Sequence, residues 1–270
     1  MDYQFFRVHI DQHIAEVAIH RPDKANALHQ AAWDELEQIF RWLDTHEAAR
    51  VILLRGEGKH FCAGIDLELL MSIQQFRAID CDGRLREKLR RFILRLQAPI
   101  NAIERCSKPV LAATHHGCIG GGLDIIAACD MRYCSADAYF TIKEIDLGMV
   151  ADLGTLQRLP KLLSPALVAE MAYTGRQVAG AEAEKIGLVN RCYPDQEQLL
   201  TGVRELAAQI ATKSPLSIRG IKANLRYARD HRVDDALDYM SLWNAALFIS
   251  KDLEEAFMAA MEKRQAVYRD

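Results

Sequence analysis

The chain of 270 residues has no C-x-x-C pair, no H-E-x-x-H and no Cys/His cluster at metal-ligand spacing. Its seven cysteines are an odd number, scattered from Cys62 to Cys192. That pattern excludes a disulfide framework and a structural zinc site, and it predicts reduced, mostly buried thiols in an intracellular protein. The adjacent His115 and His116 are the only candidate metal ligands, and they read better as packing or hydrogen-bonding histidines. No apolar run approaches the ~20 residues of a spanning helix; Leu123 with Ile125 to Cys129 is among the longest. Membrane insertion is therefore not expected. The opening MDYQFFRVHIDQH carries early acids and no apolar stretch of signal-peptide length, so no secretory segment is expected. There is no internal repeat, low-complexity tract or flexible linker. Net charge is also scarce: a balance of −3 excludes a broad electrostatic footprint for nucleic acid.

What is present is an ordinary globular composition, half apolar and 26% charged. The length suits one large domain, or one with an appendage. Alternating apolar positions over 5–10 and 13–20 predict a pair of strands. RPDKANAL follows, with Pro22, Asp23 and Asn26 as turn chemistry. Trp33, Leu36, Phe40 and Leu43 recur at helical spacing, and Val51 to Leu54 reads as a buried strand. The alternation repeats. Leu85, Leu89, Phe92 and Leu96 mark a helix ended by Pro99 or by Ser107-Lys108-Pro109. Strands are predicted at 110–113, 131–134 and 139–142, and a short helix at 123–128. This is an α/β pattern of β-α-β units with right-handed crossovers. After about residue 195 only helical patterns remain, at 199–212, 216–229, 233–248 and 253–267. The expected division is a core of residues 1–195 and a helical region of 196–270.

Three places break the local rules, as functional sites tend to. The first is the loop Phe61-Cys62-Ala63-Gly64-Ile65-Asp66-Leu67, whose backbone N–H groups could face an anion or a carbonyl oxygen. An ordinary strand-to-helix turn is the alternative. The second is Gly120-Gly121-Gly122-Leu123-Asp124, where glycines allow close approach and the following helix offers free N–H groups. Asp124 could complement that helix dipole or face a pocket. The third runs from Lys143-Glu144 to Asp152-Leu153-Gly154. Asp152 could cap a helix at 153–159, and Glu144 could be a solvated partner of Lys143. The two carboxylates could instead be a proton donor and acceptor pair.

Together these segments resemble the enoyl-CoA hydratase/isomerase (crotonase) family. The likeness rests on RPDKANAL, FCAGIDL, GCIGGGLDIIAACDMRYCSADAYF and SKDLEEAFMAAMEKR, and it covers nearly the whole chain. Within the family, IKEIDLGMVADLGTLQRLPK is most like the dienoyl-CoA isomerases, which match Asp124, Glu144 and Asp152 with Asp, Glu and Asp. The typical hydratase has glutamates at 124 and 144 and a small residue at 152, so this chain departs from it at two of the three positions.

The resemblance implies a spiral of repeated β-β-α units with C-terminal helices that mediate trimer contacts, commonly in a hexamer of two trimers. It implies a 3,5-dienoyl-CoA thioester substrate converted to the 2,4-diene, with no metal or redox cofactor. Asp124, Glu144 and Asp152 would be the catalytic set. The amides of Ile65 and Gly121 would form an oxyanion hole, and Ala63, Gly64, Ile65, Asp66 and Leu67 would bind substrate together with Gly121. Lys24 is a candidate for the CoA phosphates. Related activities, hydration of a 2-enoyl-CoA or a 3-enoyl to 2-enoyl shift, are the nearer alternatives. A non-catalytic acyl-CoA or RNA-binding role is the distant one, and three acids in one pocket would repel phosphate. With no organelle-targeting signal visible, a cytoplasmic location is expected.

Overall fold

Phe6–Asp11 (β1) and Ile14–Ile19 (β2) form an antiparallel hairpin. Gln12 and His13 both adopt positive φ at its turn, the mirror-image geometry that matches strand twist. The computed structural model describes residues 3–270; Met1 and Asp2 of the amino-terminal stretch lie outside the described residues. Gln30–Thr45 (α1) buries Trp33, Leu36, Ile39, Phe40 and Leu43 on one face, as its spacing predicts. Val51–Gly56 (β3) follows, then Leu67–Ser72 (α2) and the long Asp82–Arg105 (α3).

α3 passes through Pro99 and stops before Ser107-Lys108-Pro109, the second of the two predicted ends. Pro99 is buried against the core, and the packing of that face offsets its missing backbone donor. Val110–Thr114 (β4), Gly117–Ile119 (β5), Gly121–Ala127 (α4), Met131–Ser135 (β6) and Tyr139–Thr141 (β7) come next. The helix expected at 153–159 is reduced to Thr155–Arg158 (α5), followed by a 3-10 turn at Leu159–Lys161 that contains Pro160. Pro165–Thr174 (α6), Val178–Ala179 (β8), Gly180–Lys185 (α7) and Arg191–Tyr193 (β9) complete the mixed part.

The strands divide between two sheets. The larger has the order β1-β2-β3-β4-β6-β9 and is parallel from β2 onward. The smaller has the order β5-β7-β8. Each turn of chain gives one strand to each sheet: β4 then β5, and β6 then β7. A bridge from Cys62 to Cys118 adds the segment after β3 to the small sheet. This is the expected spiral of β-β-α turns.

Four helices follow: Gln196–Ala211 (α8), Pro215–Asp230 (α9), Val233–Leu247 (α10) and Lys251–Glu262 (α11). α11 ends earlier than the sequence pattern suggests, because Lys263 turns left-handed at φ 55° and its N–H closes onto the last carbonyls.

The continuous apolar runs of β3 and β4 follow from burial on both faces. Ile52, Leu54, Val110 and Ala112 join the main core with α1, while Val51, Leu53, Leu111 and Ala113 pack against Leu199, Val203 and Ala207 of α8. All seven cysteines are free thiols, and only Cys81 is exposed. Among the described residues, no helix is long and apolar enough to cross a membrane, and no group of three or more His, Cys, Asp or Glu is placed to hold a metal.

Candidate active site

The loop after β3 and the junction between β5 and α4 meet at Gly64. Its φ is +86°, and a Cβ there would stand 2.7 Å from the Ile119 carbonyl oxygen and 3.0 Å from the Gly121 nitrogen. Only glycine lets the two backbones approach so closely. Leu28 donates its N–H to Gly64 and accepts from Asp66, at 2.7 and 3.1 Å. With both of these bonds on one edge, the Ile65 N–H is turned to the other. Gly121 opens α4, so its N–H has no partner within the helix. Ile65 and Gly121 both line a cavity of about 560 Å³, together with Ala63, Gly64, Gly120 and Glu144. Asp66, Leu67 and Lys24 line it as well.

The Asp66 side chain is committed to the loop. It caps α2 through the Glu68 N–H at 2.8 Å and pairs with Arg21. Burial pushes its carboxyl up, but the guanidinium and the amide outweigh this and hold it below the usual range.

Asp124 is fully buried in the first turn of α4. Its Oδ1 accepts both the N–H and the hydroxyl of Thr155, at 2.7 and 2.6 Å. Its Oδ2 has no partner. Burial pushes the carboxyl up to about 7; Thr155 opposes the rise, and Glu144 and Asp152 add to it. Asp124 therefore satisfies the start of α5, a task the sequence offered to Asp152. The N-cap position of α5 is in fact held by Gly154.

Glu144 begins a 3-10 turn, Glu144–Leu147, beside the cavity. Its Oε1 lies 3.0 Å from where a Cβ on Gly120 would be, and its buried Oε2 has no partner. Burial raises its proton affinity and the Asp152 charge raises it further. Lys143 pairs with Asp146 at 2.5 Å, which removes the reading of Glu144 as its solvated partner. Asp152 is an exposed residue and, like Asp124, is not part of the cavity wall, yet enough protein surrounds its carboxyl to push it up as well. The structure thus brings Asp124, Glu144 and Asp152 within electrostatic reach of one another.

Some contributors escaped the sequence reading. The Trp33 ring, fully buried, lies 3.2 Å from the Cβ position of Gly121 and supports the start of α4. Its signal was only a helix-face apolar residue. Asn26, buried at φ 57°, accepts the Arg21 N–H and donates to the Glu57 and His60 carbonyls, so it ties RPDKANAL to the loop after β3. Leu147 and Met149 supply apolar wall. The asparagine within a turn was a legible sign; the apolar wall was not.

This geometry has counterparts. The sequence pattern of the enoyl-CoA hydratase/isomerase family matches residues 9–270. The peroxisomal delta(3,5)-delta(2,4)-dienoyl-CoA isomerase of Arabidopsis thaliana is 47% identical over 263 residues, covering 97% of this chain and 95% of that protein. The mitochondrial enzyme of the same name from Rattus norvegicus is 44% identical over 257 residues, covering 94% of this chain and 78% of that protein. The crystal structure of an enoyl-CoA hydratase from Bacillus anthracis superposes with a TM-score of 0.88 at 28% identity, over 98% of this chain and 99% of that one. These relatives overturn the expected cytoplasmic location, since the similar isomerases are named for the peroxisome and the mitochondrion and point to an organelle. The expectation rested on not seeing a targeting segment, and an absence of that kind says nothing about location.

Proposed function

The chain belongs to the enoyl-CoA hydratase/isomerase family, and we propose that Asp124, Glu144 and Asp152 make it a dienoyl-CoA isomerase acting in fatty-acid β-oxidation. It moves a 3,5-dienoyl-CoA to the 2,4-isomer. The observation that carries this reading is the pair Glu144 and Asp152: two carboxyls with raised proton affinity and within electrostatic reach of each other, Glu144 on the wall of a cavity that Ile65 and Gly121 also line.

In this reading the thioester oxygen sits between the N–H groups of Ile65 and Gly121. Asp152 takes a proton from carbon 2. The electron pair of that C–H bond spreads onto the thioester oxygen and along the diene to carbon 6. Glu144 then gives a proton to carbon 6, leaving double bonds at carbons 2 and 4. One oxyanion donor is worth roughly 10²–10³ in rate, and one positioned acid or base roughly 10²–10⁴. Burial suits Glu144 to the acid role, because a carboxyl must hold its proton in order to donate it. Asp124 orients the pair by joining α4 to α5 through Thr155.

One proton passes from carbon 2 to Asp152 and another from Glu144 to carbon 6, and exchange with solvent returns Asp152 to its ionised and Glu144 to its protonated form; the step therefore calls for no metal or redox group. The acyl-CoA follows residues Ala63 to Leu67, with Lys24 near its phosphates. Residues 1–195 form the catalytic core. In residues 196–270, α8 backs the large sheet and α9 to α11 carry the contacts of a homotrimer or hexamer.

Offering a 3,5-dienoyl-CoA and crotonoyl-CoA side by side tests the assignment. Rapid growth of the conjugated-diene absorbance with slow hydration is expected. Rapid hydration with no conjugation overturns it in favour of a hydratase.

A further inference from the structure

The segment from Gly148 to Gly154 has no helix or strand of its own, yet it carries Asp152. We infer that Arg158, seated on α3 and assisted by Gln97, is a positioning residue that clamps the Asp152 loop. The inference rests on the proposed catalytic role of Asp152.

Arg158 is buried, and its Nη2 donates to Asn101 Oδ1 at 2.9 Å and to Glu104 Oε2 at 2.8 Å. Its Nη1 reaches back to the Leu153 carbonyl at 3.4 Å. The same Nη1 would lie 1.8 Å from a Cβ on Gly154, whose φ is +128°. The guanidinium therefore rests on a bare α-carbon, in a backbone conformation that glycine adopts and other residues rarely do. One step earlier, the Asp152 carbonyl accepts Gln97 Nε2 at 2.6 Å. Gln97, Asn101 and Glu104 stand four and three residues apart, so α3 presents them as one row. On the other side, Thr155 is bonded to Asp124 of α4.

The loop is pinned at residues 152, 153 and 155 between two helices, and none of these bonds uses the Asp152 carboxyl. That leaves the carboxyl free to act while its backbone is held. Glu104 is itself fixed by a second guanidinium, that of Arg229 on α9, at 2.5 Å. Burial alone would push Glu104 up, but the two arginines outweigh it and keep the anchor ionised. A lysine at 158 would keep the charge and lose the fork that reaches Asn101, Glu104 and Leu153 together.

The test is steady-state kinetics on a 3,5-dienoyl-CoA with the parent, Arg158→Lys, Glu104→Gln and Gln97→Ala, each checked for folding by circular dichroism. A displacement of about 1 Å at a reacting group costs on the order of a hundredfold. Arg158→Lys is therefore expected to lower kcat by about 10–100-fold with KM close to the parent's, because the amide-lined cavity is untouched. Glu104→Gln and Gln97→Ala should show smaller losses of the same kind. Parent-like kcat in the folded variants, or KM and kcat changing together in all of them, overturns the inference. Gln97 lies near the surface, so Gln97→Ala decides the matter alone if Arg158→Lys does not fold. A parent that leaves the substrate unconjugated sinks the isomerase reading instead.

Discussion

Asp124 illustrates how burial and chemistry are linked at the scale of one side chain. Its ordinary value of 3.8 is lifted to about 7, with burial the largest cause. The folded chain therefore holds this proton more tightly than the unfolded chain does. The stabilisation is complete below about pH 4 and is lost as pH rises through about 7. Asp124→Asn removes the titration and keeps an oxygen that can accept from Thr155. Unfolding free energies from urea titrations at pH 5 and pH 8 should differ less in Asp124→Asn than in the parent, by an amount on the order of a few kcal/mol. An unchanged difference would contradict the assignment of the proton to this site. Glu144 and Asp152 have the same direction of shift for the same first cause. The base must be ionised and the acid protonated, so kcat should follow a bell with both limbs above the ordinary carboxylate range. Glu144→Gln and Asp152→Asn should each lose roughly 10²–10⁴ in kcat. A diene-conjugation assay on both variants checks this, and parent-like turnover in the two would dismiss them as the acid and base.

At the scale of the element, the loop after β3 and the start of α4 work as one unit, because they are bridged at Cys62 and Cys118 and meet without a side chain between them at Gly64. Gly64→Ala would place a methyl 2.7 Å from a backbone oxygen, in a left-handed conformation. The two loops must separate, and the amides of Ile65 and Gly121 cease to converge. A loss of at least about 10²-fold in kcat is expected, together with a lower Tm, and parent-like kinetics would show that the two amides do not act on one oxygen. This contact also marks the limit of what the sequence makes legible. The helix face of Trp33, Leu36, Phe40 and Leu43 and the doubly buried strands are periodic, so local pattern suffices. Gly117–Ile119 is not periodic. It is a strand only because β7 lies beside it, and a partner so far along the chain leaves no local trace. Asp152 shows the same limit. Its turn chemistry suits a helix cap, but the start of α5 is satisfied by Asp124, a contact set by tertiary packing. Family resemblance both groups the three acids and suggests Asp152 as base, Glu144 as acid and Asp124 as the residue that orients them; what no sequence pattern shows is the bond from Thr155 to Asp124.

For the whole molecule, the C-terminal helices pose a different balance. Leu237, Leu242, Phe248, Phe257 and Met261 on α10, α11 and the turn between them are all more than half exposed in the single chain. An apolar surface of that extent is characteristic of an assembly face. The same two helices also expose the carboxylates Asp234, Asp235 and Glu254, the kind of group that stays in water at an interface margin. The proposed trimer or hexamer buries this surface, each apolar side chain contributing about 1.5–3 kcal/mol when fully covered. Phe257→Glu should therefore shift sedimentation from the assembled species towards the monomer, because a carboxylate in place of an apolar ring must lose its water to enter such an interface. The cavity at Gly64 and Gly121 is formed within one chain and lies on other elements. A monomeric Phe257→Glu that keeps its fold should accordingly keep the two convergent amides, and any activity it loses would report a partner's contribution to the site. Sedimentation identical to the parent's over a wide concentration range would mean that this face is not what joins the copies.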